Sequence, residues 1–362
     1  MLSNQIIQSS IDELRCITKI DLCVMDLQGT VAASTIDDVE IPIDLVREFA
    51  ESAADSQVIS GYHFFKVLED EEVVYLVLTR GNEDAHMVGK IAVTQLRQLM
   101  TAYKEKLDRD SFLQNLILDN LLLVDIYNRA KKLHIPAEGD RVVFLIETMG
   151  DEDAEIMELL KGLFIPYHGD YLTAVEERNI ILIKSLTQGD SYRELKHIAE
   201  MIVDMVNSEA MVNVRVSYGT IVHELKNVSR SFKEAKMALD VGRIFYAEKD
   251  VIAYHALGIG RLIYQLPESL CRIFIQEVFG SSTIPEEVDE EILATVQKFF
   301  ENSLNISETS RQLFVHRNTL VYRIEKVQKA TGLDMRVFED ALTFNIALMV
   351  VNYLKYLESM NS

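Results

Sequence analysis

The chain has 362 residues, 48% apolar and 26% charged, with a formal net charge of −21. One hydrophobic core rarely grows past about 250–300 residues, so two or three domains are expected, and the composition excludes a long disordered tract. The acidic balance argues against a surface that binds nucleic acid or membranes all over, and no apolar run reaches the roughly eighteen residues of a helical span.

The start, MLSNQIIQSS, lacks a basic segment followed by an apolar one, so no secretion signal is expected. Three cysteines, Cys16, Cys23 and Cys271, are odd in number and follow no metal spacing. They read as reduced packing residues of a cytoplasmic protein.

The first third reads as a small α/β unit, residues 1–92. Asp21–Leu27 and Thr30–Ser34 predict two strands joined at Gln28-Gly29, where glycine supplies the turn conformation. Helical spacing follows at Ile43–Ala54. Strands are expected again at Gln57–Ile59, Tyr62–Leu68, Val73–Thr79 and Gly89–Val93, with acidic or Gly-containing turns between them. A sheet with helices packed on one face suits a PAS- or GAF-like ligand pocket. Met25, Tyr62, His63 and Tyr75 are either pocket residues or plain packing on alternating strands.

From Ile91 to about His134 the pattern is helical, giving a connector at 93–134. Leu96, Leu99, Tyr103, Leu113 and Ile117 keep an approximate heptad, broken by Lys106 and Asp110. Two readings stay open: a short parallel seam between protomers, or a helix packed on its own domain.

Residues 135–256 read as a second α/β domain. Strands are expected at Val142–Glu147, Tyr171–Val175, Asn179–Lys184, Val214–Tyr218 and Val251–Tyr254, and helices at Ala154–Leu163, Tyr192–Asn207 and Ser229–Phe245. The order βαββαβ, then helix and strand, is that of a ferredoxin-like or nucleotide-cyclase sheet. Gly258 and Gly260 form a lone doublet that reads as a helix entry, and residues 257–284 as a helical linker with Pro267 starting a new helix. No phosphate loop, nucleophile elbow or paired metal-ligand spacing occurs, and the eight histidines are scattered, so neither cofactor nor metal is expected.

Residues 285–362 carry the most specific pattern. An acid-rich opening, Pro285–Ile292, leads into a bracing helix at Leu293–Ser303. ISETSRQLFVHRNTLVYRIEKVQKAT (Ile306–Thr331) then reads as helix, three-residue turn and helix. Ile306, Ser310 and Leu313 share helical spacing, with the small Ser310 placed for a close helix crossing. Leu320, Ile324 and Val327 form a core-facing stripe, which points Asn318, Tyr322 and Lys329 outward with Thr319 and Lys326 beside them. Arg317 and Arg323 sit at its edges. Between Ser303 and Arg336 six basic residues face three acidic ones, a basic island of +3 in a chain of −21. Such an island suits a phosphate-binding face. On periodicity alone, an amphipathic hairpin with a solvated charged face is equally compatible. The helix Asp340–Leu357 is apolar on a broad face and is expected to pack on the reader or pair across a dimer.

The wording of Leu313–Asp334, LFVHRNTLVYRIEKVQKATGLD, resembles the C-terminal helix-turn-helix of the CdaR/PucR family of bacterial regulators and looks like the DNA-binding tail of Fis-type proteins. The shared residues are His316, Arg317, Asn318, Thr319, Leu320, Tyr322, Arg323, Gly332 and Leu333. Phe314 stands where glycine is common at such turns. The stretch Leu2–Thr35 resembles the opening of the family's sugar-diacid recognition domain, and the resemblance fades after Thr35. The middle domain, including Val216–Leu239, resembles the family's GGDEF-like domain. Its hairpin reads HGDYLTAVEERNIIL, with Gly169-Asp170 as the remnant of the signature loop and no acidic neighbour to share a metal, so catalysis is expected to be lost.

These readings combine into a multidomain α+β chain: PAS/GAF-like sensor, long connecting helix, ferredoxin/nucleotide-cyclase-like domain and all-α helix-turn-helix domain. The expected function is a cytoplasmic, ligand-responsive, sequence-specific transcriptional regulator of a catabolic operon, without enzyme activity. The alternatives are a diguanylate-cyclase-related enzyme with a DNA-binding tail and a protein-binding adaptor. The expected partners are double-stranded operator DNA, a small-molecule effector such as an organic acid, and a second copy of the chain. DNA-binding residues are expected to be Arg311, His316, Arg317, Asn318, Thr319, Tyr322, Arg323 and Lys326. Of these, the arginines grip phosphates. Asn318, Thr319, Tyr322 and Lys326 face the major groove, and Val321, Glu325 and Lys326 are the candidates for choosing bases. The effector's own site is not assigned.

Overall fold

A computed structural model describes residues 2–37, 39, 41–81, 84–149, 153–164, 169–176, 179–187 and 190–360. By the density of its internal contacts the chain divides into two units, residues 1–113 and 114–362.

The first unit opens with α1 (Asn4–Thr18), capped by the Ser3 hydroxyl accepting from the Ile6 N–H. Strands β1 (Asp21–Met25) and β2 (Val31–Ser34) follow, then α2 (Ile43–Glu51), β3 (Ser56–Ile59), β4 (Tyr62–Glu69), β5 (Glu72–Arg80) and α3 (Ala85–Ile117). The β1–β2 turn forms because the Asp26 carboxylate accepts from the N–H groups of Gln28 and Thr30, both at 2.8 Å, while Gly29 takes φ +79°. The sheet is antiparallel, in the order β2-β1-β5-β4-β3.

Helices cover both faces of this sheet, not one. Leu22, Val24, Phe65, Val67, Tyr75 and Val77 pack with α1 and α3. Cys23, Met25, Phe64, Leu76 and Leu78 pack with Val46 and Phe49 of α2. The continuous apolar runs in β1, β4 and β5 are the reason, since alternation vanishes when both faces are buried.

The strand expected at Gly89–Val93 is instead part of α3. Gly89 marks a close approach: a Cβ there would lie 2.0 Å from the Phe65 ring. A helix of 33 residues therefore runs through the expected boundary at 92, with Ala85, Val88, Ala92, Leu96 and Met100 in the first unit's core. The heptad positions Leu96, Leu113 and Ile117 are each at most 1% exposed within the protomer, so they are not free for a seam. The helical run ends at Ile117 and resumes as α4 (Leu123–Lys132), with Asp119 at φ +64° between.

In the second unit the sheet consists of β6 (Glu138–Thr148), β7 (Tyr171–Glu176), β8 (Asn179–Ser185), β9 (Val214–Tyr218), β10 (Val222–Glu224) and β11 (Val251–Ala253). Its order is β11-β9-β6-β8-β7, with β10 on β6 and only the β9–β11 pair parallel among the described strands. One face packs on α5 (Asp153–Phe164) and α6 (Tyr192–Glu209) through Ile156, Leu160, Leu195 and Ile202. The other meets α7 (Val228–Phe245). There the buried Ser231 hydroxyl accepts from Val143 N–H and donates to the Thr220 carbonyl, and Ser217 donates to the Ala235 carbonyl.

The remaining helices are α8 (Ile259–Tyr264), α9 (Glu268–Phe279), α10 (Glu290–Glu301), α11 (Ile306–Gln312), α12 (Arg317–Thr331) and α13 (Phe338–Met360). Gly258, at φ +53°, is the entry to α8. Residues 257–284 are no free linker: Ile263, Cys271, Ile275 and Phe279 belong to the core that also holds Phe299, Leu320, Ile324 and Phe344. Asp240 of α7 accepts from the Tyr264 hydroxyl of α8 at 2.9 Å, which binds the sheet domain to these helices, and Arg243 of α7 itself donates to the same carboxylate at 3.0 Å. Among the described residues, no helix is long and apolar enough to cross a membrane.

Candidate nucleic-acid interface

Three short helices build the site, and each starts on a side chain that fills otherwise unpaired N–H groups. Asp289 accepts from Ile292 N–H at 2.9 Å to open α10. Asn305 accepts from Ser307 and Glu308 at 3.0 and 3.1 Å to open α11. The His316 ring accepts from Asn318 N–H at 3.2 Å to open α12, which ends on Gly332 at φ +79°.

Leu320, Ile324 and Val327 are buried along one side of α12, as their spacing predicts. The small residue at the crossing of α11 is Thr309, fully buried, rather than the half-exposed Ser310. Its hydroxyl donates to Asn305 at 2.8 Å, which lets a polar side chain sit inside the joint. Helix α13 packs in the same core through Phe344, Ala347 and Val350.

The outward face of α12 carries His316, Arg317, Asn318, Thr319, Tyr322, Glu325 and Lys329, all exposed. Arg317 and Lys329 have no carboxylate partner among the described residues, whereas other basic groups do. Arg311 pairs with Glu308 at 2.6 Å and holds that carboxyl below its usual range. Lys326 reaches Asp289 at 3.6 Å. Arg323, its side chain 16% exposed, pairs with Glu291 and donates to Thr295 at 2.9 Å. It therefore joins α12 to α10, and the acid-rich opening of α10 is the source of both acidic partners. Sequence spacing placed Arg323 at the edge of the stripe and Lys326 beside the outward residues but held no signal for these partners.

The other candidates are dispersed. Met25 lies on the α2 face of the first sheet and Tyr75 on the α1/α3 face, each deep in a core. His63 rests against His86, with ring centroids 5.6 Å apart, and Tyr62 packs on the α2 side. The four do not share a pocket. A buried cation that spacing did not flag, Lys66, is 8% exposed, and its ammonium donates to the Ser52 carbonyl at the end of α2.

In the middle domain Gly169-Asp170 does not form a hairpin loop. It lies just before β7, beside Ser185 at the end of β8, and residues 177 and 178 between the two strands fall outside the described residues. Burial pushes the Asp170 carboxyl up, against the Lys184 ammonium at 2.8 Å and the Ser185 N–H at 2.9 Å. Its lone pairs are committed to structure. No group of three or more acidic, histidine or cysteine side chains suited to a metal occurs among the described residues. A groove of about 1360 Å³ beside edge strand β11 and α6 mixes Arg193, Lys196 and Lys249 with Glu200, Asp204 and Asp250. At its floor desolvation raises the Tyr218 phenol to about 12.

Comparison with known proteins agrees with this layout. Residues 292–350 match the PucR C-terminal helix-turn-helix domain, and residues 120–241 match the GGDEF-like domain. The purine catabolism regulatory protein of Bacillus subtilis is 28% identical over 173 residues, which cover 47% of this chain and 32% of that protein, about a third of its length. The carbohydrate diacid regulator of Escherichia coli is 24% identical over 309 residues, covering 78% of this chain and 77% of the regulator. The proline-responsive transcriptional activator PutR of Bacillus subtilis is 21% identical over 332 residues, 85% of this chain and 77% of that protein. In a C-terminal PucR-type helix-turn-helix whose outward face is basic and a GGDEF-like domain ahead of it, the chain shares the domain layout of the CdaR/PucR family of transcriptional regulators.

Proposed function

We propose that the protein is a ligand-responsive regulator of a catabolic operon that reads operator DNA through α11 and α12. The observation that carries this is the outward face of α12, where Arg317 and Lys329 have no carboxylate partner among the described residues and Asn318 and Thr319 are exposed. Unpaired cations on a helix of this kind suit phosphates, and amide and hydroxyl groups suit base edges. Arg311, His316, Tyr322, Arg323 and Lys326 complete the proposed interface, with Arg323 also bracing the helix. Titrating duplex DNA against the full chain over a range of salt tests this. Affinity should fall steeply as salt rises, and a flat response would favour the adaptor reading.

The five-stranded unit at the N-terminus serves in this reading as a PAS/GAF-like sensor, residues 1–92 with the adjoining part of α3, for a small organic acid. The names of its relatives, which concern purine catabolism, carbohydrate diacids and proline, support a catabolic effector. The middle domain, with its ferredoxin/cyclase-like strand order, acts as a non-catalytic coupler, and magnesium-dependent GTP turnover would overturn that. The protein works in the cytoplasm as a dimer or larger assembly, since one short reader touches too few base pairs for useful specificity. Sedimentation as a monomer with operator present would refute the dimer.

A further inference from the structure

Phe314 sits in the turn between α11 and α12 with φ +55° and is 95% exposed. Both properties are unfavourable. A left-handed backbone crowds the Cβ of an L-residue against the neighbouring carbonyl, and a phenyl ring in water forgoes burial. The conformation is imposed by the helices on either side, because Phe314 N–H donates to the Arg311 carbonyl at 3.3 Å and Val315 N–H to the Ser310 carbonyl at 3.1 Å. Glycine or asparagine would fit this turn with less strain.

Other left-handed residues show what ordinary compensation looks like. Leu304, at φ +63° in the turn before α11, packs its side chain on the C-terminal core. Met211 is also left-handed and 90% exposed, but it is flanked by Glu209 and Asn213 rather than by arginines. In sequence Phe314 lies three residues from each of the exposed Arg311 and Arg317, in the turn that leads into the exposed His316, Asn318 and Thr319. An exposed ring in a turn flanked by such residues matches a partner that alternates phosphates with apolar sugar carbons and thymine methyls.

We propose that Phe314 is a DNA-contacting residue whose ring lies on apolar surface at the rim of the groove that α12 enters. This rests on the reading of α11 and α12 as a DNA reader. The contact is with either deoxyribose carbons or a thymine methyl, which share one chemistry. No charge is involved, so its contribution is insensitive to salt.

The test uses the full chain and a duplex that the wild-type protein enriches from a random-sequence library. Phe314→Gly and Phe314→Asn should each bind it about tenfold more weakly. The slope of affinity against salt should not change, because no phosphate contact is lost. Each variant should melt at the same temperature as wild type or about 2 degrees higher, since strain is relieved. Phe314→Leu should retain most of the affinity. Replacing thymine by uracil in the duplex separates the sources. A methyl contact weakens wild type and leaves Phe314→Gly indifferent, whereas a sugar contact leaves both unchanged. Wild-type affinity in Gly and Asn variants that remain folded would overturn the proposal alone. A wild-type protein that binds no duplex in a salt-dependent way would overturn the DNA-reader reading with it.

Discussion

In the GGDEF-like domain Asp170, Ser217 and Ser231 turn inward, and each has a partner within 3.1 Å. On α12, Arg317, Asn318, Thr319 and Lys329 turn outward, and the two cations have no carboxylate partner among the described residues. The contrast is one of destination. A folded chain normally pairs its buried polar groups, and the acid that survives in the middle domain has been absorbed in this way. Cations gathered on one face of an acidic protein, with carboxylates available elsewhere, need their counter-charge from outside.

The largest effect should come from breaking the absorbed pair. Lys184→Met leaves the Asp170 carboxylate, its side chain 1% exposed, without its cation. Stability should fall by about 3–5 kcal/mol in denaturant titration, and adding Asp170→Asn should recover much of it. A loss under 1 kcal/mol would mean Asp170 is not held as a structural ion (roughly the surface-pair range). Next is Arg317→Ala, which should leave folding unchanged, weaken DNA binding about tenfold and reduce the salt slope by about 0.9. An unchanged slope would remove Arg317 from the phosphate contacts.

Glu291→Gln sharpens the comparison from the other side. It releases Arg323 from a partner that itself is largely exposed, so DNA affinity should rise about two- to threefold. Weaker binding would show that the α10–α12 joint matters more than the freed charge.

The smallest effect is acid sensitivity. Asp289 is held below the usual carboxylate range by the Ile292 N–H and Lys326, Glu308 by Arg311, and Asp334 by Arg336. Because their folded values lie below the unfolded ones, their stabilisation is present above the ordinary carboxylate range. It should be lost only as pH falls through the lowered values, below about pH 4. Melting curves that already weaken between pH 6 and 5 (roughly the histidine range) would point to other groups.

Periodicity carried much of this architecture. Continuous apolar runs placed β1, β4 and β5, and a period-3.6 stripe placed the buried side of α12, within a few residues, because burial is written directly in side-chain order. Gly89 misled for the opposite reason: its place depends on the Phe65 ring, a contact far away in sequence. Helix α1, absent from the expected elements, was legible too, since its buried Ile7, Ile11 and Leu14 fall at i, i+4 and i+7. At the site, the identities on α12 were legible, while the engagement of Arg323 by Glu291 and Thr295 was not. That pairing depends on how α10 meets α12, which no local pattern encodes.

The cap on α12 fixes the tautomer of its histidine. With Nδ1 of His316 accepting the Asn318 amide proton, the ring's own proton resides on Nε2. The imidazole is then neutral at a helix start whose dipole is already positive, and it presents a single directional donor to whatever approaches. A phosphate bound there would gain a hydrogen bond while releasing no extra counterion. In the proposed reader His316 would strengthen binding and yet remain silent in the salt dependence, the reverse of its neighbour Arg317.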